Sequence, residues 1–207
     1  MENEAVNLAQ YNSTFSLKNK VVRLIWNFCY WIFFRPFNLN LFKNWRALIL
    51  KIFGAKIGKH ANIYASVKIW APWNLEIGEY SCLGPGVDCY NQGKIIIGRD
   101  SIISQKTYLC ASTHNFEISN FPLVLKPITI EDQVWVAADA FIGPGVKLQT
   151  GAVVGARAAV FKSVDRWSVV GGNPAKHIKQ RKVNSLTKVS KIDALYIEKN
   201  EFENYSS

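Results

Sequence analysis

Aliphatic residues recur at every sixth position through most of this chain. From Ile57 they fall at Ile63, Ile69 and Leu75; after two extra residues the count resumes at Ile77, Leu83, Cys89 and Ile95. Two more residues intervene before Ile97, Ile103 and Leu109, and after a long interruption the count runs from Ile130 through Val136, Ile142, Leu148 and Val154 to Val160. An amphipathic helix would repeat at about 3.6 residues and a half-exposed strand at about 2, so neither explains the spacing. A solenoid does. Each hexad supplies one short strand and one corner, and three hexads close a triangular coil of roughly 18 residues. The reading is an all-β parallel β-helix whose coils stack about 4.8 Å apart. A glycine follows the aliphatic residue at Ile57-Gly58, Ile77-Gly78, Leu83-Gly84, Ile97-Gly98, Ile142-Gly143 and Val154-Gly155, where backbone must run close to backbone. The two-residue insertions near Leu75-Glu76, Ile95-Ile96 and Ile128-Thr129 are expected to bulge at one edge of the prism.

Three units follow. Residues 57–174 form the β-helix, with residues 115–127 leaving the count as a loop; solenoids accept such insertions at corners. Phe116, Phe121, Pro122 and Leu123 make that loop apolar for an exposed segment, as expected of a functional loop or one packed on a neighbouring chain. Residues 1–56 are expected to cap the open first coil. Within them Leu41, Phe42, Trp45, Leu48, Ile49 and Ile52 approach a helical stripe that ends before Gly54. Residues 175–182 read as a short basic helix, and residues 183–207 as a polar tail.

The formal net charge is +10. Residues 1–56 hold eight Lys and Arg against Glu2 and Glu4, and residues 162–182 hold six against Asp165, with a nearly neutral stretch between. Two basic ends suggest two local tasks and no nucleic-acid stripe. The apolar segment 21–34 carries Arg23 and stops at Arg35-Pro36, short of the roughly 20 apolar residues of a membrane span. It reads as a cap or as a peripheral membrane contact. The four cysteines form no paired motif and read as reduced thiols of a cytoplasmic protein. The three histidines, His60, His114 and His177, lie at the start, middle and end of the prism and cannot converge on a zinc ion, so no metal is expected.

The hexads, the segment Thr113-His114-Asn115 with its loop, the run ITIEDQVWVAADAFIGPGVKL and the segment GGNPAKHIKQR together resemble the hexapeptide-repeat O-acetyltransferases. The N-terminal NWRALILKIFGAKIGKHANI and APWNLEIGEYSCLGPGVDCYN resemble the colanic-acid-type branch found in exopolysaccharide and O-antigen biosynthesis. The resemblance covers roughly residues 36–182. It implies a left-handed β-helix, a homotrimer with active sites between prisms, and acetyl transfer from acetyl-CoA to a hydroxyl of a sugar or lipid-linked sugar. His114 is then the general base; imidazole titrates near neutral pH and suits removal of a hydroxyl proton. Asn91 is either an acceptor-binding amide or a corner residue. Trp135, Ala138 and Ala156 would line the pantetheine channel, and Lys162, Lys176 and Lys179 would face the coenzyme phosphates. His177 is a surface residue or part of that rim. Trp70, Trp73 and Tyr90 are expected to pack beside the cap rather than stack on a sugar. An amino-sugar or amino-acid acyltransferase and a non-catalytic β-helical scaffold are the other readings.

Overall fold

The structure, a computed structural model, describes residues 5–12 and 14–184. Its centre is the expected left-handed parallel β-helix. The chain winds over three flat faces, each a sheet of parallel strands two to four residues long, with one antiparallel strand of five residues added at the far end of one face. The register stacks the hexad residues on one another. Ile57, Ile77, Ile97, Ile130 and Leu148 form one inner column. Ile63, Leu83, Ile103, Val136, Val154 and Val170 form the second. Ile69, Cys89, Leu109, Ile142 and Val160 form the third. All are buried, so the core is a stack of aliphatic layers. Each such side chain contributes about 1.5–3 kcal/mol by leaving water.

The two-residue insertions do not bulge outward. They lengthen the strands of the Ile57 face and add Leu75, Ile95 and Ile128 to the core in register with one another, each wholly buried. The prism is therefore wider at the edge where the Ile69 face turns back to the Ile57 face. Several corners turn on non-glycine residues in the left-handed region, including His60, Tyr80 and Asp100 in one column. His60 is thereby committed to a corner, where its ring stacks on Tyr80 at 4.8 Å.

The N-terminal segment is a cap, as expected. Helix α1 spans Leu17–Cys29 and is extended by a π-helical turn at Tyr30–Phe34; helix α2 spans Lys43–Ile52. Ser16 caps α1 by accepting the Asn19 N–H. Helix α2 ends at Gly54, with φ of 87°, in a paired Schellman closure: Gly54 N–H donates to Lys51 and Ala55 N–H to Leu50. Two side chains satisfy backbone carbonyls of the coils. Trp26 donates its indole N–H to the Ile69 carbonyl at 2.7 Å. Arg46, almost fully buried, donates to the carbonyls of Ile63, Phe37 and Leu39.

The far end departs from expectation. Residues 176–180 are not helical; they form a strand antiparallel to Ser168–Gly171. That strand would otherwise end its sheet unpaired, and the returning chain pairs it. Arg181 pins the hairpin by donating to the Gln133 and Gly151 carbonyls. Most of the expected polar tail, residues 185–207, lies outside the described residues.

Polar ties join neighbouring coils. Glu131 pairs with Lys147 at 2.7 Å and accepts both the N–H and the hydroxyl of Thr150 at 2.8 Å. Lys147, and then Thr150, hold its carboxyl at about 2, well below the usual carboxylate range. Glu131→Gln is expected to cost about 1–2 kcal/mol at neutral pH. A depressed pKa stabilises the fold fully above the ordinary value of 4.5, and that share fades as pH falls toward about 2. Thermal melts of the two proteins should therefore differ at pH 7 and converge in acid.

Candidate active site

His114 ends the strand Ser112–His114, which leaves the prism at the widened edge and pairs antiparallel with Leu123–Leu125. The loop of residues 115–127 is thus partly a β-hairpin. The His114 ring is exposed, and its Nδ1 lies 2.6 Å from the Phe121 carbonyl oxygen. A carbonyl only accepts, so Nδ1 donates, and in the neutral ring the lone pair is on Nε2. Phe121 holds φ of 46° in the turn that brings its carbonyl there, a conformation bulky residues rarely adopt. The loop is braced from the N-terminus: Asn7 N–H donates to Ser119, the Asn120 amide donates to Gln10, and the Tyr11 ring lies 6.2 Å from that of His114. Sequence reasoning missed this brace, because nothing in residues 7–11 marks a partner more than a hundred positions away.

The residues assigned to the pantetheine channel sit on a different edge. Ala138 and Ala156 occupy successive corners between the Ile63 and Ile69 faces, where Arg157 N–H donates to the Ala138 carbonyl. Among the described residues, the N–H groups of Ala138 and Ala156 donate to no backbone carbonyl. Trp135 lies three residues before Ala138, its ring exposed and its indole N–H on the Ser104 hydroxyl at 3.1 Å. His114 and the two alanines therefore occupy separate edges of one prism. They can share a site only when a second prism brings its own edge alongside.

Lys162 and Lys176 come together with His177 around a cavity of about 410 Å³ at the C-terminal end, which Asp165 also lines. Lys179 is exposed but does not line it. The strands that begin Tyr108, Phe141 and Ala159 are consecutive rungs, so this end lies two rungs, roughly 10 Å, beyond the coil that leads to His114.

Asn91 is a correction. It is fully buried; its Oδ1 accepts the N–H groups of Trp70 and Ala71 and its Nδ2 donates to the Ala71 carbonyl. It is the corner residue, with both ends of its amide engaged by backbone and its side chain shut away from solvent. Trp70, whose N–H it accepts, lines a cleft of about 470 Å³ between the end of α1 and the Ile69 face. Trp31, Trp70 and Tyr90 supply aromatic surface there, and Arg35, Lys68 and Asp88 supply charge. Trp70 packs beside the cap as expected, between the Phe15 ring at 4.9 Å and the Arg23 guanidinium at 3.7 Å. Burial raises the Asp88 carboxyl above its usual range, with Lys68 partly opposing.

The remaining groups offer little chemistry. All four cysteines are free, and burial pushes the Cys82 and Cys89 thiols up, which suppresses the thiolate. Among the described residues, no cluster of three or more His, Cys, Asp and Glu side chains is arranged to hold a metal ion.

No protein-family model matches the chain. It is 47% identical over 137 residues, 66% of its length and 75% of the relative's, to a protein of Escherichia coli (strain K12) named as the colanic acid biosynthesis acetyltransferase WcaF. Two solved structures superpose on it. One is a hexapeptide-repeat acetyltransferase of Vibrio cholerae O1 biovar eltor complexed with acetyl coenzyme A, at a TM-score of 0.73, 21% identity, and coverage of 84% of this chain and 94% of that one. The other is a galactoside acetyltransferase in complex with coenzyme A, at 0.74, 21%, and 84% and 93%.

Proposed function

The chain belongs to the hexapeptide-repeat acetyltransferases, and from that premise we propose that it moves the acetyl group of acetyl-CoA to a sugar hydroxyl in exopolysaccharide or O-antigen biosynthesis. The observation that carries the reading is the Phe121 carbonyl on His114 Nδ1, which leaves Nε2 as a free acceptor on an exposed edge. In this reaction Nε2 takes the hydroxyl proton while the oxygen bonds to the acetyl carbonyl carbon. The carbon–sulfur bond breaks, and the imidazolium returns its proton to the departing sulfur. The transfer is direct, with acceptor and acetyl-CoA bound together and no acyl-enzyme formed.

The separation of His114 from Ala138 and Ala156 supports a homotrimer in which each site lies between two prisms. The residues at the C-terminal end suit the carrier: Lys162 and Lys176 offer cations to phosphates beside small, close-set corners, and coenzyme A would lie along that edge. Trp31 and Tyr90 in the cleft support a sugar acceptor, since flat rings beside charged groups match a ring bearing hydroxyls. We place the enzyme in the cytoplasm, peripheral to the membrane through residues 21–34.

Release of free thiol from acetyl-CoA, screened over sugar, amino-sugar and amino-acid acceptors, tests the reading. Turnover only with amines would replace the hydroxyl acceptor. Neither thiol release nor a thermal shift with CoA would leave a scaffold. Lys176→Ala is expected to raise the KM for acetyl-CoA roughly three- to tenfold, and Lys179→Ala less, because Lys176 lines the cavity and Lys179 does not. An unchanged KM for Lys176→Ala would remove the basic rim from the coenzyme site.

A further inference from the structure

Helices α1 and α2 each carry two apolar stripes. The inner stripes pack on the coils through Trp26 and Leu50, both fully buried. The outer stripes meet water. Leu24, Phe28 and Trp31 are 71%, 64% and 64% exposed, and Leu41, Leu48 and Ile52 are 82%, 48% and 68% exposed. Leu24 and Phe28 stand four apart on α1, and Leu48 and Ile52 four apart on α2, so each pair shares one helical face; Trp31 follows in the π-helical turn and Leu41 lies in the 3-10 turn before α2. The Trp45 indole donates to the Phe33 carbonyl at 2.8 Å and ties α2 to the π-helical turn that extends α1. An apolar surface of this extent on a folded chain marks a contact site.

Charge selects the occupant. No Asp or Glu occurs from residue 5 to residue 75, whereas Lys18, Lys20, Arg35, Lys43 and Lys51 lie on or beside the two helices. A second copy meeting this face with its own would set like charges together. A bilayer bearing anionic headgroups meets both demands, taking the apolar stripes into its boundary and the lysines against its phosphates. Among the described residues no helix is long and apolar enough to cross a membrane, and α1 carries Lys18, Lys20 and Arg23, which suits lying in the plane of the surface. We infer that the outer face of α1 and α2 docks on an anionic membrane surface. Trp31 and Arg35 border both this face and the aromatic cleft, so docking opens the cleft beside the lipid.

Sedimentation with vesicles reads the docking without turnover, so its result is separate from that of the acetyl-transfer assay. The intact protein is expected to bind phosphatidylglycerol-containing vesicles at least tenfold more strongly than pure phosphatidylcholine ones. The triple variant Leu24→Ser, Phe28→Ser, Ile52→Ser should weaken that binding tenfold or more. Lys18→Gln and Lys43→Gln should each weaken it roughly fivefold. All these side chains lie outside the core, so far-UV circular dichroism and chromatographic size should stay as they were. Binding by the triple variant equal to that of the intact protein, or no binding by the intact protein, overturns the inference. So does a smaller assembly for the triple variant, which would assign the face to a contact between copies.

Discussion

His114→Ala is expected to slow acetyl transfer by roughly 10²–10⁴-fold, the range for losing a positioned general base. Stability should move by no more than about 0.5 kcal/mol, as for other exposed substitutions. The two outcomes separate because the ring lies outside the inner columns and, among the described residues, its hydrogen bond goes to the Phe121 carbonyl in the loop. The oxygen it releases can turn to water, so no buried group is orphaned. Binding of CoA, read by thermal shift, should survive, since Lys162 and Lys176 lie two rungs away. The loss should appear in kcat rather than in the KM for acetyl-CoA, because the proton moves only as the oxygen attacks. Thiol release by the pure variant at the rate of the intact enzyme would end the assignment of His114 as the base. A variant that fell apart on a sizing column would instead make the residue structural.

What the sequence exposes and what it hides follow from the range of each interaction. The inner columns are legible because a coil turns every fixed number of residues, so packing between distant layers is written as a local period. The end of α2 is legible for the same reason, since Gly54 acts on carbonyls only a few residues back. Arg46 is not. Its value lies in the carbonyls of Ile63, Phe37 and Leu39, which only the folded cap brings to it, and as a letter in a basic helix it looks like a surface charge. Asn91 shows the converse. The Asn type suits both a sugar contact and a corner, and the choice depends on whether the backbone of Trp70 and Ala71 claims its amide. Lys176–Gln180 reads as helical because it is short, polar and free of alternation; the unpaired edge of Ser168–Gly171 overrides that weak preference. His114 stands out in sequence by context, yet the carbonyl that fixes its tautomer comes from a turn seven residues on that only the hairpin can fold back.

Gly78→Ala is the stability test with the largest expected effect: a loss of about 3 kcal/mol, near the upper end for forcing a methyl into a filled interior. Gly58, Gly78 and Gly98 form a column at the corner between the Ile57 and Ile63 faces, where each coil rides directly on the next. A Cβ on Gly78 would lie 2.5 Å from the Arg99 nitrogen and from the Gly98 carbonyl carbon, closer than real Cβ contacts come. Both obstacles are backbone, so no side chain can swing aside. Relief requires parting two coils whose register carries Ile77 over Ile97 and Leu83 over Ile103. Gly86→Ala is the matching control. Its φ of 70° demands the left-handed region, but the nearest atoms, on Lys106, lie 3.7 and 4.0 Å away. It should therefore cost only about 1–2 kcal/mol, the conformational penalty without the clash. For a chain of this size 1 kcal/mol moves Tm by about 2–4 °C, so Gly78→Ala should melt roughly 6–12 °C lower than the intact protein. If the two alanine variants melted together, backbone conformation rather than the contact between coils would set the glycine requirement, and the close stacking at that corner would lose its energetic role.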